Sequence, residues 1–243
     1  MNDDYLSNTY LIGDERGGTG VIIDAGGPVA PLLEALERND LTLTHVLLTH
    51  HHGDHVAELD AILERHPGTP VLAHPDEPVM GVTETIVDGD QINAGGLIIH
   101  ALHTPGHTKG MLTFLTKSEE RACLFTGDTL FRDSVGGVRA PGSTSYTDIR
   151  RSIMDVILAQ DPDTEIHPGH TEPTTVAREL EHNPFVRVWR GVDPEGDAPC
   201  TALGEEATLV LRAPDYDGGT KCWVRWPDGS DDIVPGSRVQ APH

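Results

Sequence analysis

Short apolar runs alternate with helical stripes through the first 185 or so residues. Asn8 to Ile12 and Val21 to Ala25 are expected to be strands, separated by the turn-rich Gly13 to Gly20. Pro28 to Arg38 then predicts a helix, with Leu32, Leu33 and Leu36 on one face. His45-Val-Leu-Leu-Thr49 is a continuous apolar run, as in a strand covered on both sides. A second helix is expected over Asp54 to Arg65, where Leu59, Ile62 and Leu63 recur at helical spacing and Pro67-Gly68 marks the stop.

The middle of the chain is richer in strands. Val71 to Ala73, Thr85 to Val87, Gly96 to Leu102, Met111 to Thr116 and Ala122 to Thr126 are short runs bounded by turn residues. A third helix is expected over Asp148 to Ala159, carried by Ile149, Ile153, Val156 and Ile157. A fourth is expected from Pro173, with Thr171 as its cap. Strands flanked by helices in both halves imply a layered α/β fold. From about Val186 the helical stripe disappears. Ala207 to Leu211, Lys221 to Trp226 and Asp232 to Val234 then read as β-ribbons, the last two joined through Pro227-Asp-Gly229. So small a β-unit has too little core to stand alone, so it must dock on the main domain or on another subunit.

Composition narrows the function. The 243 residues hold 39 acidic against 17 basic side chains, a formal net charge of −22. Such a surface repels phosphate backbones and anionic lipid, so no nucleic-acid or membrane partner is expected. No stretch approaches the about 20 consecutive apolar residues of a membrane span. Met1 to Tyr5 has neither a basic stretch nor an apolar run behind it, so no secretory signal is expected. The three cysteines are odd in number and widely spaced, which argues against a disulfide scaffold and points to a reducing, cytoplasmic setting. Cys123, in an apolar run, reads as a small core residue.

The chemistry lies in the histidines. Thr49-His50-His51-His52-Gly53-Asp54-His55 follows a buried strand and precedes a helix. His50 and His52 point the same way from extended backbone, whereas Asp54 and His55 sit where the chain turns into the helix. Imidazole nitrogen and carboxylate oxygen are ligands for zinc, iron or manganese. Thr104-Pro-Gly-His107-Thr, Phe125-Thr-Gly-Asp128-Thr and His167-Pro-Gly-His170-Thr each place a further ligand type near the end of a predicted strand. These donors suffice for two divalent metals. His50, His52 and His107 would hold one, Asp54, His55 and His170 the other, and Asp128 would bridge them around a shared hydroxide.

This five-part pattern, from Asn8 to Arg187, resembles the metallo-β-lactamase superfamily. Pro168-Gly-His-Thr-Glu-Pro-Thr-Thr-Val, with Glu179 and Asn183-Pro-Phe185, is similar to the carboxyl-terminal signature of short glyoxalase II-like (hydroxyacylglutathione hydrolase-like) hydrolases. The resemblance implies a four-layer αβ/βα sandwich, with residues 1–187 forming the hydrolase domain and 188–243 a small β extension. It also implies thioester hydrolysis at a dinuclear site, usually zinc, with iron or manganese in related enzymes. The expected partner is a small thioester or ester.

Relatives of other activity define the alternatives. Cysteine-ligand β-lactamases place Cys where this chain has Asp128. Lactonases of similar site place Tyr where it has Phe131, and persulfide dioxygenases keep only two His and one Asp on one iron. A wholly non-enzymatic metal-binding protein is the contrasting class. Glyoxalase II proper carries a helical carboxyl-terminal domain that helps hold glutathione, in place of which this chain has the β extension.

Asp54 is expected to ligate, to orient the hydroxide and to shuttle a proton. Other residues keep two readings. Asp24 could brace the ligands or cap a turn, and His51 belongs to packing or outer support. His103 and His167 could donate to a carboxylate or be buried structural residues. Arg132 and Arg139 could meet a substrate carboxylate or be solvated. Trp189, Trp223 and Trp226 read as core of the β extension. Otherwise the extension would be a small SH3-like interaction module that makes a homodimer or covers the site.

Overall fold

A computed structural model describes residues 7–118 and 121–240. The expectations for Met1 to Tyr5 therefore fall outside the described residues. The first sheet joins β1 (Tyr10–Gly13), β2 (Thr19–Ile23), β3 (Thr42–Leu47), β4 (Val71–Ala73) and β5 (Glu84–Thr85) in that order. β1 pairs antiparallel with β2, and the later pairs are parallel. Their crossovers carry α1 (Ala30–Arg38), α2 (Gly53–Val56) and α3 (Leu59–Arg65).

The second sheet is built from β6 (Gln91–Ala94), β7 (Leu97–His103), β8 (Leu112–Lys117) and β9 (Ala122–Gly127). A hairpin of β10 (Leu130–Phe131) and β11 (Ser134–Val135) follows, then β12 (Glu165–Pro168) and β13 (Thr174–Thr175). Its order is β13-β12-β9-β8-β7-β6. α4 (Tyr146–Arg151) continues into a π-helical turn over Ser152–Ile157, and α5 (Val176–His182) and α6 (Pro184–Trp189) close this half.

Alternation along the strands sorts side chains into layers. Val21, Ile23 and Leu47 meet Ile99, Leu112, Phe114 and Phe125 between the two sheets, and Cys123 lies in this core as expected. Ile22, Val46 and Val71 face the other way, onto Leu33 and Leu36 of α1 and Leu59 and Ile62 of α3. Leu124 and Ile166 face Ile149 and Ile153 on one side of α4 and its continuation, and Phe185 of α6. The result is the expected αβ/βα sandwich of four layers.

β14 (Ala198–Ala202), β15 (Glu205–Pro214), β16 (Thr220–Arg225) and β17 (Asp231–Pro235) form a meander. A 3-10 turn at Gly236–Arg238 then returns β18 (Val239–Gln240) to pair with β14, giving the order β17-β16-β15-β14-β18. One face encloses a small core of Cys200, Ala207, Cys222, Val224 and Val234. Val210, Trp223 and Ile233 join the core around α4 and α6, so the β-unit docks on the main body. The tryptophans do not form one cluster: Trp223 faces the main body, Trp226 packs on the small core, and Trp189 rests on Tyr146.

Several local expectations are corrected. The helix over Asp54 to Arg65 is broken after Val56. There the Ala25 carbonyl accepts from Glu58 N at 2.8 Å, and Ala25 N donates to the His55 carbonyl at 2.6 Å. The fourth helix begins not at Pro173 but at Val176, capped by Thr175, whose hydroxyl accepts from Arg178 N. Thr171 instead adopts φ +70°. Helical structure also continues past Val186, where it was expected to stop, through α6 to Trp189; β6, the β10–β11 hairpin and β14 are additional strands, and β15 runs well beyond Ala207 to Leu211.

Candidate metal centre

The seven predicted ligands, far apart along the chain, meet where β3, β7, β9 and β12 end. His50 and His52 leave β3 on one side, their ring centroids 4.7 Å apart. His107 stands on the turn after β7. Its neighbour Gly106 has φ +146°, and a Cβ there would lie 2.4 Å from Ile149 Cβ, so only glycine fits. The turn brings His107 Nε2 within 3.0 Å of His52 Nδ1. The second set is Asp54 and His55 at the start of α2 with His170 after β12; Asp54 Oδ2 lies 3.6 Å from His55 Nε2 and 3.4 Å from His170 Nε2. One donor atom from each member of the first triad lies within 4.8 Å of the others, as does one from each member of the second. Asp128 stands between the two sets. Its Oδ1 is 3.2 Å from His55 Nε2, and its Oδ2 is 3.2 Å from His170 Nε2 and 3.5 Å from His107 Nε2.

The backs of these rings are held by the protein. His52 Nε2 meets the Pro141 carbonyl at 3.0 Å, and His107 Nδ1 meets the Gly137 carbonyl at 2.8 Å. Asp24, fully buried with φ +59°, is the pivot. Its carboxylate accepts from Thr49 N at 2.8 Å and from the Thr49 hydroxyl at 2.9 Å, and it meets His55 Nδ1 at 2.8 Å. Because the Thr49 hydrogen points to Asp24, Thr49 Oγ is left to accept from His50 Nδ1, 3.0 Å away. Both Nδ1 atoms therefore carry their hydrogens, so in the neutral, ligating form the Nε2 lone pairs of His50 and His55 face the site. Of its two expected roles, Asp24 takes the bracing one, holding His55 directly and His50 through Thr49.

These Nε2 atoms, with Asp128 Oδ1, are buried and lack a hydrogen-bond partner among the described residues. The 3.2 Å approach of His55 Nε2 to Asp128 Oδ1 has the distance of an ion pair without hydrogen-bond alignment. Leaving one such atom unpaired costs about 1–3 kcal/mol, and here they converge. A cation would satisfy them, so the donor set fits divalent metal.

Electrostatics agree. Burial lowers His50 well below the ordinary histidine value, and burial lowers His107 to about 4. Both imidazoles are thus neutral at pH 7, the form that ligates. Burial also opposes charge on His55, but Asp128 and Asp24 outweigh it and raise this group. For Asp128, burial is outweighed by His170 and His55, which hold the carboxyl well below its usual range.

Comparison with known proteins decides the family. The sequence model of the metallo-beta-lactamase superfamily matches residues 2–170. The chain belongs to this superfamily. An uncharacterized protein of Mycobacterium tuberculosis (strain ATCC 25618 / H37Rv) is 34% identical, covering 74% of this chain and 92% of its own. The cytoplasmic hydroxyacylglutathione hydrolase of Arabidopsis thaliana is 30% identical, covering 77% and 85%. Among solved structures, ETHE1 from Myxococcus xanthus aligns with a TM-score of 0.67 at 29% identity, covering 79% of this chain and 89% of that one. TTHA1623 in a di-iron-bound form aligns with a TM-score of 0.62 at 31% identity, covering 74% and 94%.

The other predicted residues of this superfamily member fall outside the ligand set. His51 turns away, as expected. Its backbone N donates to Glu77 Oε2 at 2.8 Å and its ring meets the same carboxylate, whose Oε1 accepts from Gly110 N at 2.8 Å. Glu77 thereby ties the His50–His55 segment to the His107 turn, a role its unremarkable sequence context did not suggest. His103 Nε2 meets the Lys109 carbonyl, and His167 lies on Phe125 with Nε2 3.3 Å from Glu165. Arg132 donates to Glu172 at 2.9 Å and Arg139 to Asp232 at 2.8 Å, so each guanidinium is engaged within the protein.

A cavity of about 690 Å³ opens over His107 and Asp128. One wall contains Phe131, Gly137 and Arg139, and the other comes from the β-unit, through residues 215–221 and 233–237. The Tyr216 ring stacks on the His170 imidazole, centroids 4.2 Å apart and planes 7° from parallel. Partial burial, then the nearby Asp128 carboxylate, keeps its phenol protonated well above the ordinary range. Tyr216 and Lys221 lie outside the motif-bearing stretch, and no spacing pattern in the sequence pointed to them.

Proposed function

We propose that this chain is a dinuclear metal hydrolase that cleaves a thioester, or a related ester, of a small molecule. The observation that carries the reading is the pair of ligand triads with Asp128 between them. His50, His52, His55 and His107 are held from behind, and the inward-facing Nε2 atoms of His50 and His55 have no hydrogen-bond partner among the described residues. His50, His52 and His107 would hold one ion and Asp54, His55 and His170 the other, with Asp128 shared; zinc is the proposed metal. TTHA1623, solved in a di-iron-bound form, supports iron as the alternative. When bound, two such cations polarise a carbonyl and bring the pKa of a water near 7.

The protein's own groups do the rest. Asp54, less enclosed than Asp128, reaches both His55 and His170 and is placed to orient the attacking water and hold its proton. A thiolate leaving group, with a pKa of about 8.5, departs without a strong general acid. That suits a site in which His50 and His107 are kept neutral. The similarity to hydroxyacylglutathione hydrolase supports a thioester over other acyl substrates.

Residues 1–187 are proposed as the hydrolase domain and 188–243 as an appended β-unit of SH3-like strand order. Cytoplasmic location, the lack of nucleic-acid and membrane partners, and a homodimer belong to the same proposal. Among the described residues no helix is long and apolar enough to cross a membrane.

The test is metal analysis of the purified protein with a panel of thioesters, lactones, β-lactams and phosphodiesters. Two metals per chain and a thioester preference are expected, both lost in Asp128→Ala and His52→Ala. One iron per chain with oxygen consumed on a persulfide, or near-normal hydrolysis by a metal-free variant, overturns it.

A further inference from the structure

The wall contributed by the β-unit lies outside residues 2–170, the stretch matched by the superfamily's sequence model. Residues 215–219 connect β15 to β16 and overhang the candidate ligands. Asp215 fixes this connection: it accepts from the Ser134 hydroxyl at 3.0 Å and pairs at 3.0 Å with Lys221, whose ammonium also donates to the Val135 carbonyl. Lys221 Nζ lies 5.3 Å from the Phe131 ring and 5.4 Å from the Tyr216 ring. The two rings meet edge-on at 5.1 Å, making a continuous aromatic surface from β10 to His170.

Charge completes the picture. Two cationic side chains line the cavity among the described residues, and each is paired: Lys221 with Asp215, Arg139 with Asp232. Asp217, on the same wall, is exposed and forms no ion pair among the described residues. The chain as a whole carries a formal net charge of −22. A substrate arm bearing carboxylates would meet no uncommitted cation here and would face a like charge at Asp217. An uncharged arm would lie against Phe131, Tyr216, Ile233 and Pro235.

We propose that the β-unit completes the active site, with Tyr216 as a positioning residue, and that the cavity selects thioesters of uncharged thiols over those of anionic tripeptide thiols such as glutathione. The inference rests on the thioester reading above, but its test does not need turnover. S-hexyl-N-acetylcysteamine and S-hexylglutathione carry the same alkyl group on a neutral and an anionic thiol, and neither is hydrolysed. Each is titrated calorimetrically into the full metal-loaded chain, and kcat and KM are measured in parallel for acetyl thioesters of both thiols.

The neutral thioether is expected to bind about tenfold tighter at low salt, with the gap narrowing at 0.5 M salt as charge repulsion is screened. Tyr216→Ala should weaken its binding about fivefold, the scale of one lost aromatic contact, and raise KM more than it lowers kcat. Tyr216→Phe, which keeps the ring, should restore binding. Equal or tighter binding of the glutathione thioether, no detectable binding of the neutral one, or a Tyr216→Ala affinity within twofold of the parent overturns the inference. If thioesters are still hydrolysed in that case, the proposed function stands. If thioethers bind as expected but no thioester is cleaved, the function fails and the specificity wall remains.

Discussion

Asp24→Asn is a near-isosteric change that tests the logic of the centre. The backbone is not at issue, since φ +59° suits Asn as well as Asp. The native carboxylate receives three hydrogens, from Thr49 N, the Thr49 hydroxyl and His55 Nδ1, at 2.8, 2.9 and 2.8 Å. An amide offers one oxygen and a hydrogen-bearing nitrogen, so at least one of these donors meets another donor. An unpartnered buried donor costs about 1–3 kcal/mol. The cheapest escape is at His55, where Nδ1 can give up its hydrogen and accept from the amide, moving the proton to Nε2. That removes a ligand lone pair. If the Thr49 hydroxyl also turns, His50 Nδ1 loses its acceptor and the first triad is disturbed too. Changes behind a ligand typically cost 10–100-fold in metal affinity, or about 1.4–2.7 kcal/mol. Chelator competition should show a loss of that size, and nitrogen NMR of the metal-free protein, recorded at a pH at which His55 is neutral, should find its one ring hydrogen on Nε2. A variant with metal affinity within twofold of the parent, and His55 still protonated at Nδ1, would refute the argument that Asp24 sets the tautomer.

Two further predictions probe packing and pH. A Cβ on Gly169 would stand 2.2 Å from Asp128 Oδ1 and 2.6 Å from His55 Cε1. Gly169→Ala should therefore lower metal content below that of the parent and cost about 1–3 kcal/mol in urea unfolding; full metal content would show that the centre can shift to absorb a methyl group. Asp14 bridges the two sheets' turns by accepting from the backbone of Gly96, Thr19 and Glu15, and these bonds lower its pKa. A carboxylate lowered on folding adds stability that is present above its unfolded value, near 3.8, and lost as pH falls through the folded value. The melting-temperature gap between parent and Asp14→Ala should accordingly be open at pH 7 and narrow as pH falls below 3.8, and a gap independent of pH would contradict this.

The candidate ligand set was legible because its information is local. His50, His52, Asp54 and His55 lie within six residues at a strand end, and His107, Asp128 and His170 each follow Gly at the end of an apolar run. The layers were legible for a similar reason, since period-two and helical spacings assign each apolar residue a face. What escaped notice depends on partners distant in sequence. Nothing near Glu58 announces that its N–H will bond to Ala25 and break a helix whose apolar spacing continues unbroken to Leu63. β6 hides because only Ile92 and Ala94 of its four residues are buried.

The same contrast separates the ligands from what surrounds them. Asp24 and Glu77 look like ordinary acidic residues until β2 and the segment after β4 carry them behind the ligands. There each exchanges water for several protein donors and becomes indispensable to geometry it does not itself ligate. Tyr216 is further removed still, 46 positions beyond the ligand it stacks on. Its place follows from Val210, Trp223 and Ile233 burying against α4 and α6, a contact that fixes the β-unit's position and so its loop over the cavity. Loosening that apolar contact should therefore reach the substrate before it reaches the metals, because the ligands are braced from within the sandwich and the wall is braced from outside it.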